Sequence, residues 1–225
     1  MWAVLPAKDA HAAKQRLFGL LAPEERRRLS LAMLEDVLAA LAASTALAGI
    51  VVVTRDGHAR RLATQFGARV LAEPAAGGHD AAVTLAARTL AAEGRRGLLA
   101  LPADVPLVTA AEIGRLIDSH GAAPAVTAVP ARDGRGTNAL ACSPPDAIAC
   151  RYGGDSFVRH LAAAREVGIE PAVVRLPGLG LDIDHPRDLL SFLDRPSATR
   201  TLAYLEESGL AARCRSAAAG MRAAG

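Results

Sequence analysis

The chain has 225 residues, 51% hydrophobic, 22% charged and only 3% aromatic, with a formal net charge of +3. This is the balance of a globular protein whose core is built from Ala, Leu and Val. The arginines are spread without aromatic interleaving, which disfavours a nucleic-acid surface and leaves a small anionic ligand as the better match. Cys142, Cys150 and Cys214 lack CxxC spacing, the opening apolar run meets Pro6 and Lys8 too early for a signal peptide, and the uncharged stretch 37–53 is too short and Ala-rich to span a membrane. The expectation is therefore a soluble cytoplasmic protein with reduced thiols and no membrane or nucleic-acid partner.

Trp2 to Leu5 predicts a first short strand, followed by a loop that holds both lysines of the chain, Lys8 and Lys14; every other basic residue is arginine. Pro23-Glu24-Glu25 offers a helix start, and Leu29, Met33, Val37 and Leu41 recur at i+4 as its apolar stripe. Ile50 to Val53 reads as a buried strand, His58 to Phe66 as a helix, and Arg69 to Leu71 as a strand. A helix over Asp80 to Ala92 leads to a strand at Gly97 to Leu101. A helix after Thr109 and a strand at Ala125 to Val129 follow.

The second half is less regular. A Gly- and Arg-rich loop over 132–138 precedes a short strand at Ala139 to Cys142. Asp155 to Val167 reads as a helix, Ala172 to Leu176 as a strand, Leu181 to Asp184 as a strand end, and Pro186 as a helix start. Alternating β and α units predict a single α/β domain with a Rossmann-like, mostly parallel central sheet and helices on both faces. That domain spans residues 1–195; residues 196–225 add one helix and a frayed tail.

Four segments carry chemistry-bearing side chains. In Leu98-Leu-Ala-Leu-Pro-Ala-Asp104, a carboxylate follows a buried strand, where open α/β sheets collect ligands; a turn aspartate would look the same. In Leu181-Asp182-Ile-Asp184-His-Pro, period-two alternation places both carboxylates on one face. Such a pair needs a cation or basic group between its members, and Mg²⁺ suits oxygen ligands shared with phosphates. Asp184 could equally cap the helix at Pro186.

Gly134-Arg-Gly-Thr137-Asn138 holds the only asparagine of the chain. Its glycines allow close approach of a ligand and Thr137 can donate a hydroxyl, although ordinary hairpin chemistry explains the same residues. Gly153-Gly154-Asp155-Ser156 opens a helix whose amides and dipole suit an anion, with His160 one turn beyond Ser156. The competing reading is a helix capped by Asp155.

Taken in order, LPAK…AKQRL, the helix from Glu25-Arg26 to Met33-Leu-Glu-Asp36, LPADVPL, GTNAL, GGDSF..H and LDIDHPRDL resemble the guanylyltransferases of the coenzyme F420 pathway. These sit within the wider nucleotidyltransferases that include the molybdopterin guanylyltransferases. The resemblance runs from about Trp2 to Leu193. It implies transfer of GMP from GTP to the phosphate of 2-phospho-L-lactate, phosphoenolpyruvate or 3-phospho-D-glycerate, with Mg²⁺ as cofactor; the oligomeric state is left open by the sequence, a homodimer being one compatible assembly. By the same resemblance, Asp104, Asp182 and Asp184 correspond to the metal-binding carboxylates. Thr137, Gly154 and Ser156 correspond to the acceptor-phosphate contacts. Lys8, Lys14 and Arg16 correspond to the basic loop at the triphosphate, and the catalytic burden falls on Lys8, Lys14 and Asp104.

One departure stands out. Gly77-Gly78-His79-Asp80-Ala81 replaces the Leu-Asn usual in the nucleoside-facing loop of that family, and a carboxylate at Asp80 can accept from guanine N1–H and its 2-amino group. Two other readings remain open on sequence: a molybdopterin-type nucleotidyltransferase, although Pro6-Ala-Lys8 replaces its glycine-rich opening loop, and a non-catalytic nucleotide-binding module.

Overall fold

A computed structural model describes residues 1–7, 14–74 and 77–223. The strands are β1 (Trp2–Pro6), β2 (Gly49–Val53), β3 (Arg69–Leu71), β4 (Leu98–Ala100), β5 (Ala125–Pro130), β6 (Thr137–Ser143) and β7 (Ala172–Val173). They form one sheet in the order β3-β2-β1-β4-β6-β5-β7. β6 runs antiparallel to both β4 and β5, and every other pairing is parallel. The mostly parallel α/β architecture expected from the alternating pattern is present.

The helices are α1 (Pro23–Ala42), α2 (Gly57–Gln65), α3 (His79–Ala92), α4 (Ala110–Asp118), α5 (Ser156–Glu166), α6 (Pro186–Leu193), α7 (Arg200–Glu207) and α8 (Leu210–Ala223). Strand alternation divides the core. Ala3, Leu5, Ile50, Val52, Leu99 and Ala141 face α1, α2 and α4. Val4, Val51, Val53, Leu98, Ala100 and Leu140 face α3 and α5. Each side chain so buried contributes up to about 1.5–3 kcal/mol for Val, Leu or Ile.

The apolar stripe of α1 is buried on two sides. Leu34, Val37, Leu38 and Leu41 pack toward the sheet, whereas Leu29 and Met33 join a third cluster with Leu17, Leu181, Ile183, Phe192 and Leu205. That cluster draws the C-terminal helices onto the domain. Asp36 of α1 fixes α7 by accepting from the amides of Arg200 (2.7 Å) and Thr201 (2.9 Å) at the helix start. Two helices, α7 and α8, stand where the sequence predicts one, because Gly209 takes a positive φ of 73° and interrupts the run.

Two local expectations are corrected. Residues 181–184 form no strand; the segment is held by Ile183 N–H donating to Asp104 O at 3.0 Å. The strand expected over Ala172 to Leu176 is reduced to Ala172–Val173, while β6 is longer than expected and begins at Thr137. Among the described residues no helix is long and apolar enough to cross a membrane. Cys142, Cys150 and Cys214 are free thiols.

Candidate active site at the end of β1 and β4

β1 lies between β2 and β4, and the chain leaves β1 toward α1 on one face of the sheet but reaches β4 from α3 on the other. This divergence opens a crevice beyond the carboxyl ends of β1 and β4, the position where open α/β sheets bind ligands. A cleft of about 310 Å³ occupies it, lined by Pro6 at the end of β1 and the following Ala7, by Lys14, by Met33 and Leu34 from α1, by His79, and by Ala103, Asp104 and Asp184.

Lys14 is the centre of this cleft. Its Nζ contacts Asp104 Oδ2 and donates to Asp184 Oδ1 at 2.9 Å, with only 7% of the side chain exposed. Burial alone would lower its pKa, but the charges of Asp104 and Asp184 outweigh burial and raise it, so the ammonium is firmly protonated. The backbone of Lys14 sits in the left-handed region at φ 55°, ψ 39°, before a single 3-10 turn over Gln15–Leu17. A non-glycine residue held there costs on the order of 1 kcal/mol, which its ion pairs offset. Arg16 of the same turn donates to Asp184 Oδ2 at 3.1 Å from a largely exposed position. Burial pushes the Asp184 carboxyl up, yet Lys14 and Arg16 hold it below its ordinary value.

Asp182 differs. Burial pushes its carboxyl above the ordinary value, and the neighbouring Asp104 charge adds to the shift. Its Oδ1 accepts from Asn138 Nδ2 at 3.0 Å, and the same amide donates to Leu179 O at 2.9 Å. The unique asparagine therefore aims Asp182 and pins the preceding loop. Among the described residues no three His, Cys, Asp or Glu side chains gather as a ready metal cluster, and Lys14 stands between Asp104 and Asp184. Even so, Asp104 Oδ1 is buried without a hydrogen-bond partner. A buried, unpaired carboxylate oxygen near the half-buried carboxyl of Asp182 is chemistry that an oxygen-seeking cation satisfies.

On the far side of β6, the GTN and GGDS segments meet. Thr137 N–H donates to Ser156 Oγ at 2.9 Å, and Thr137 Oγ1 lies 3.0 Å from His160 Nδ1. Asp155 does not cap α5. It takes a left-handed φ of 56° and accepts from Arg135 Nε at 2.8 Å, and its carboxylate makes no bond to the amides of the helix start. The expectation of free amides at the start of α5 needs correction: Ser156 N–H donates to Gly153 O and Phe157 N–H to Arg135 O, so the chain has already used both. Gly154 is exposed, and its carbonyl accepts from Arg159 Nη2 at 2.7 Å.

Asp80, read from the sequence as a guanine contact, is exposed at the start of α3, and its Oδ1 accepts Tyr152 N–H at 2.8 Å. One of its two oxygens thus already joins α3 to the loop before α5. The residue of this segment that lines the cleft is its neighbour His79. Lys8 lies outside the described residues.

One residue shaping the site escaped sequence reading. Glu112 of α4 is buried and accepts from Gly178 N–H (2.8 Å) and Leu179 N–H (3.1 Å), 66 and 67 positions away. It anchors the loop that Asn138 grips from the other side and that runs directly into Asp182. Its only trace in the sequence is a charge within an otherwise apolar helix face beside Ile113 and Leu116.

Comparison with known proteins shows the family of the chain. A family model described as "Guanylyl transferase CofC like" matches residues 1–224. The chain is 38% identical over 189 residues to a phosphoenolpyruvate guanylyltransferase of Conexibacter woesei, covering 84% of this chain and 85% of that protein. It is 36% identical over 195 residues to a 3-phospho-D-glycerate guanylyltransferase of Colwellia psychrerythraea, covering 86% and 92%. Among solved structures, a protein of Desulfovibrio desulfuricans G20 described as a nucleotide-diphospho-sugar transferase superposes with a TM-score of 0.76 at 16% identity, covering 96% of both chains. A nucleotidyl transferase from Methanothermobacter superposes with a TM-score of 0.60 at 19% identity, over 85% of this chain and 94% of that one. At these identities the structural likeness concerns the fold.

Proposed function

This chain belongs to the CofC-like guanylyl transferases, and from that membership we propose that it transfers GMP from GTP to the phosphate of phosphoenolpyruvate or 3-phospho-D-glycerate, releasing pyrophosphate, in coenzyme F420 biosynthesis. The observation that carries the reading is the protonated Lys14 ammonium held between Asp104 and Asp184 in the cleft beyond β1 and β4. A cation fixed among carboxylates at this place provides for both halves of a nucleoside triphosphate site, the anionic phosphates and the metal that accompanies them.

The reaction joins two anions. A phosphate oxygen of the acceptor attacks the α-phosphorus of GTP, the new O–P bond forms as the α–β bridging bond breaks, and pyrophosphate departs with the electron pair. No general base is required, because a phosphate dianion is already nucleophilic at neutral pH. What the protein supplies is position and charge. Lys14 and Arg16, with Lys8 by family resemblance, offset the charge of the triphosphate; Thr137, Gly154 and Ser156 hold the acceptor phosphate.

Asp104, Asp182 and Asp184 offer only oxygen donors, and the unpartnered Asp104 Oδ1 together with the raised Asp182 carboxyl fits Mg²⁺. When bound there, Mg²⁺ would neutralise charge developing on the transferred phosphoryl group and its leaving group. Asn138 keeps Asp182 aimed, and Arg16 and Lys14 keep Asp184 ionised.

The test is pyrophosphate release by the purified protein with GTP and Mg²⁺ and, in turn, phosphoenolpyruvate, 3-phospho-D-glycerate and 2-phospho-L-lactate. Release with either of the first two and not without acceptor is expected. Release with none of the three overturns the reading. For the base, GTP should be preferred over ATP and the preference should shrink in Asp80→Ala; equal turnover of both nucleotides, unchanged by that substitution, removes Asp80 from guanine recognition.

A further inference from the structure

His160 is fully buried, yet it lies outside the set of residues expected to touch substrate. Both its ring nitrogens are engaged. Nε2 lies 2.9 Å from the backbone nitrogen of Arg151, which can only donate, so Nε2 is the acceptor of that bond. Burial lowers the His160 pKa to about 4, so the ring is neutral at the pH of any ordinary assay. A neutral imidazole carries one proton, and with Nε2 accepting, that proton is on Nδ1. Nδ1–H then donates to Thr137 Oγ1 at 3.0 Å.

The consequence falls on Thr137. Its oxygen already accepts from His160, and among the described residues no acceptor takes its own hydroxyl proton. Ser156 repeats the pattern, since its Oγ accepts from Thr137 N–H. Two neighbouring hydroxyls are thus each occupied by an N–H donor, and both keep their protons for an external acceptor. The ring that sets this arrangement is itself confined, with Tyr152 edge-on to it at 4.8 Å and His79 edge-on to Tyr152 at 4.1 Å. Rotation of His160 would lose both hydrogen bonds and disturb this column, which ends at the nucleotide cleft.

We propose that His160 is a positioning residue for the acceptor subsite: its Nδ1–H bond to Thr137 Oγ1 commits the Thr137 hydroxyl to donate to the phosphate of the phosphoacid. This rests on the proposed contact between Thr137 and the acceptor phosphate. Without the bond, the Thr137 hydroxyl can rotate and satisfy itself internally, and the acceptor loses a pre-oriented donor. The loss is that of one neutral hydrogen bond, about tenfold in affinity at most. It should fall on the acceptor and not on GTP.

The experiment compares His160→Asn, His160→Gln and His160→Leu in the full chain, scored by pyrophosphate release while phosphoacid and GTP are varied separately. The Asn amide can reproduce the Nδ1 donor toward Thr137, whereas the Gln amide reaches the Nε2 position and serves Arg151. The expected result is a KM for the phosphoacid raised about five- to tenfold in Gln and Leu, restored to within about twofold in Asn, with KM for GTP unchanged throughout. If Leu fails to fold, the Asn and Gln pair carries the test.

Equal effects in Asn and Gln, or a fall in kcat with both KM values moving together, would overturn the proposal in favour of a purely structural histidine. Thr137→Val separates the two layers of the argument. If Thr137→Val leaves the phosphoacid KM unchanged, the contact itself is wrong. If it raises that KM while His160→Gln does not, only the role of His160 falls.

Discussion

Lys14 Nζ and Asp184 Oδ1 are 2.9 Å apart although 170 residues separate them in the chain. One comes from the loop after β1 and the other from the segment before α6, and Asp104, at the end of the β4 connection, closes the triangle on the same ammonium. The contact is made by a nearly buried lysine against two partly exposed carboxylates, so it is screened less than a surface ion pair and is tied to the cleft.

Lys14→Arg should abolish most turnover while leaving the protein folded. An ammonium fits as a point donor between two carboxylates; the planar guanidinium is wider and would have to push Asp104 or Asp184 aside. We expect kcat with GTP to fall roughly tenfold or more, since removing one oriented electrostatic contact commonly costs that much or more, with the thermal midpoint changed little. Arginine fills many other basic positions of this chain, so wild-type turnover in the variant would show that the compact ammonium of Lys14 is not needed for catalysis.

Asp182→Asn is expected to inactivate without destabilising. The native carboxyl is held above its ordinary value by burial and by Asp104, which means that ionising it at neutral pH opposes folding. An amide removes that cost and its oxygen can still accept from Asn138 Nδ2. Turnover should be lost while the melting temperature stays level or rises, the trade expected of a residue kept for function. Asp146→Asn, a change on an exposed loop, should leave both quantities unaltered. A melting temperature that drops with Asp182→Asn would show that the carboxylate serves the fold.

Part of this site was legible because Asp104 is a charge placed just after the end of β4, and Lys14 and Arg16 lie in the segment that follows β1; strand ends are readable from apolar runs. Lys14, Arg16, Asp104 and Asp184 come together as the sequence led us to expect. The alternation Leu181-Asp182-Ile183-Asp184 was also informative, although the inferred strand is absent: Leu181 and Ile183 are fully buried and the two carboxylates only half-buried. Alternation reports which way side chains face, and an irregular extended segment satisfies it as well as a ladder.

What stayed hidden were long-range pairings of polar groups. Nothing local says that Glu112 will meet the amides of Gly178 and Leu179, that Asp80 will accept Tyr152 N–H, or that His160 will reach Thr137 23 positions back. The division between α7 and α8, by contrast, was available in Ser208-Gly209, a helix stop that composition alone obscured.

Gly178→Ala and Glu112→Gln should each loosen the loop before Asp182. A Cβ on Gly178 would collide with Leu107 O and with a carboxylate oxygen of Glu112, neither of which is a free chain end. The glutamine in place of Glu112 would set an amide N–H₂ against a backbone N–H, so one of the two bonds is lost and a donor faces a donor. We expect a loss of about 2 kcal/mol in unfolding free energy for each, measured by urea denaturation. Activity should fall further than stability alone accounts for, because Leu179 O and Asp182 share the Asn138 amide. Unchanged denaturation midpoints would mean that the loop is held elsewhere.

The neutral His160 ring also predicts how stability responds to acid. Its pKa is about 4 in the folded protein against 6.5 for a free imidazole, so between these values the unfolded chain binds more protons. The sign follows: stability contributed by the uncharged, bonded ring is present above pH 6.5 and is lost as pH falls, levelling near pH 4. At pH 5 the loss attributable to this one group is about 2 kcal/mol relative to pH 7. His120, whose pKa burial also lowers, acts in the same direction, while Asp182 and Asp36, held up by burial, act in the opposite one. The wild-type slope is therefore a mixture, and the informative quantity is its difference from His160→Asn, which has no proton to gain. Urea denaturation of both proteins at pH 7 and pH 5 should give a variant that is less stable at pH 7 but loses about 2 kcal/mol less on acidification. Parallel losses would mean that the native ring gains its proton as readily as the unfolded chain does, and the bond that Nε2 accepts from Arg151 N–H would have to be redrawn.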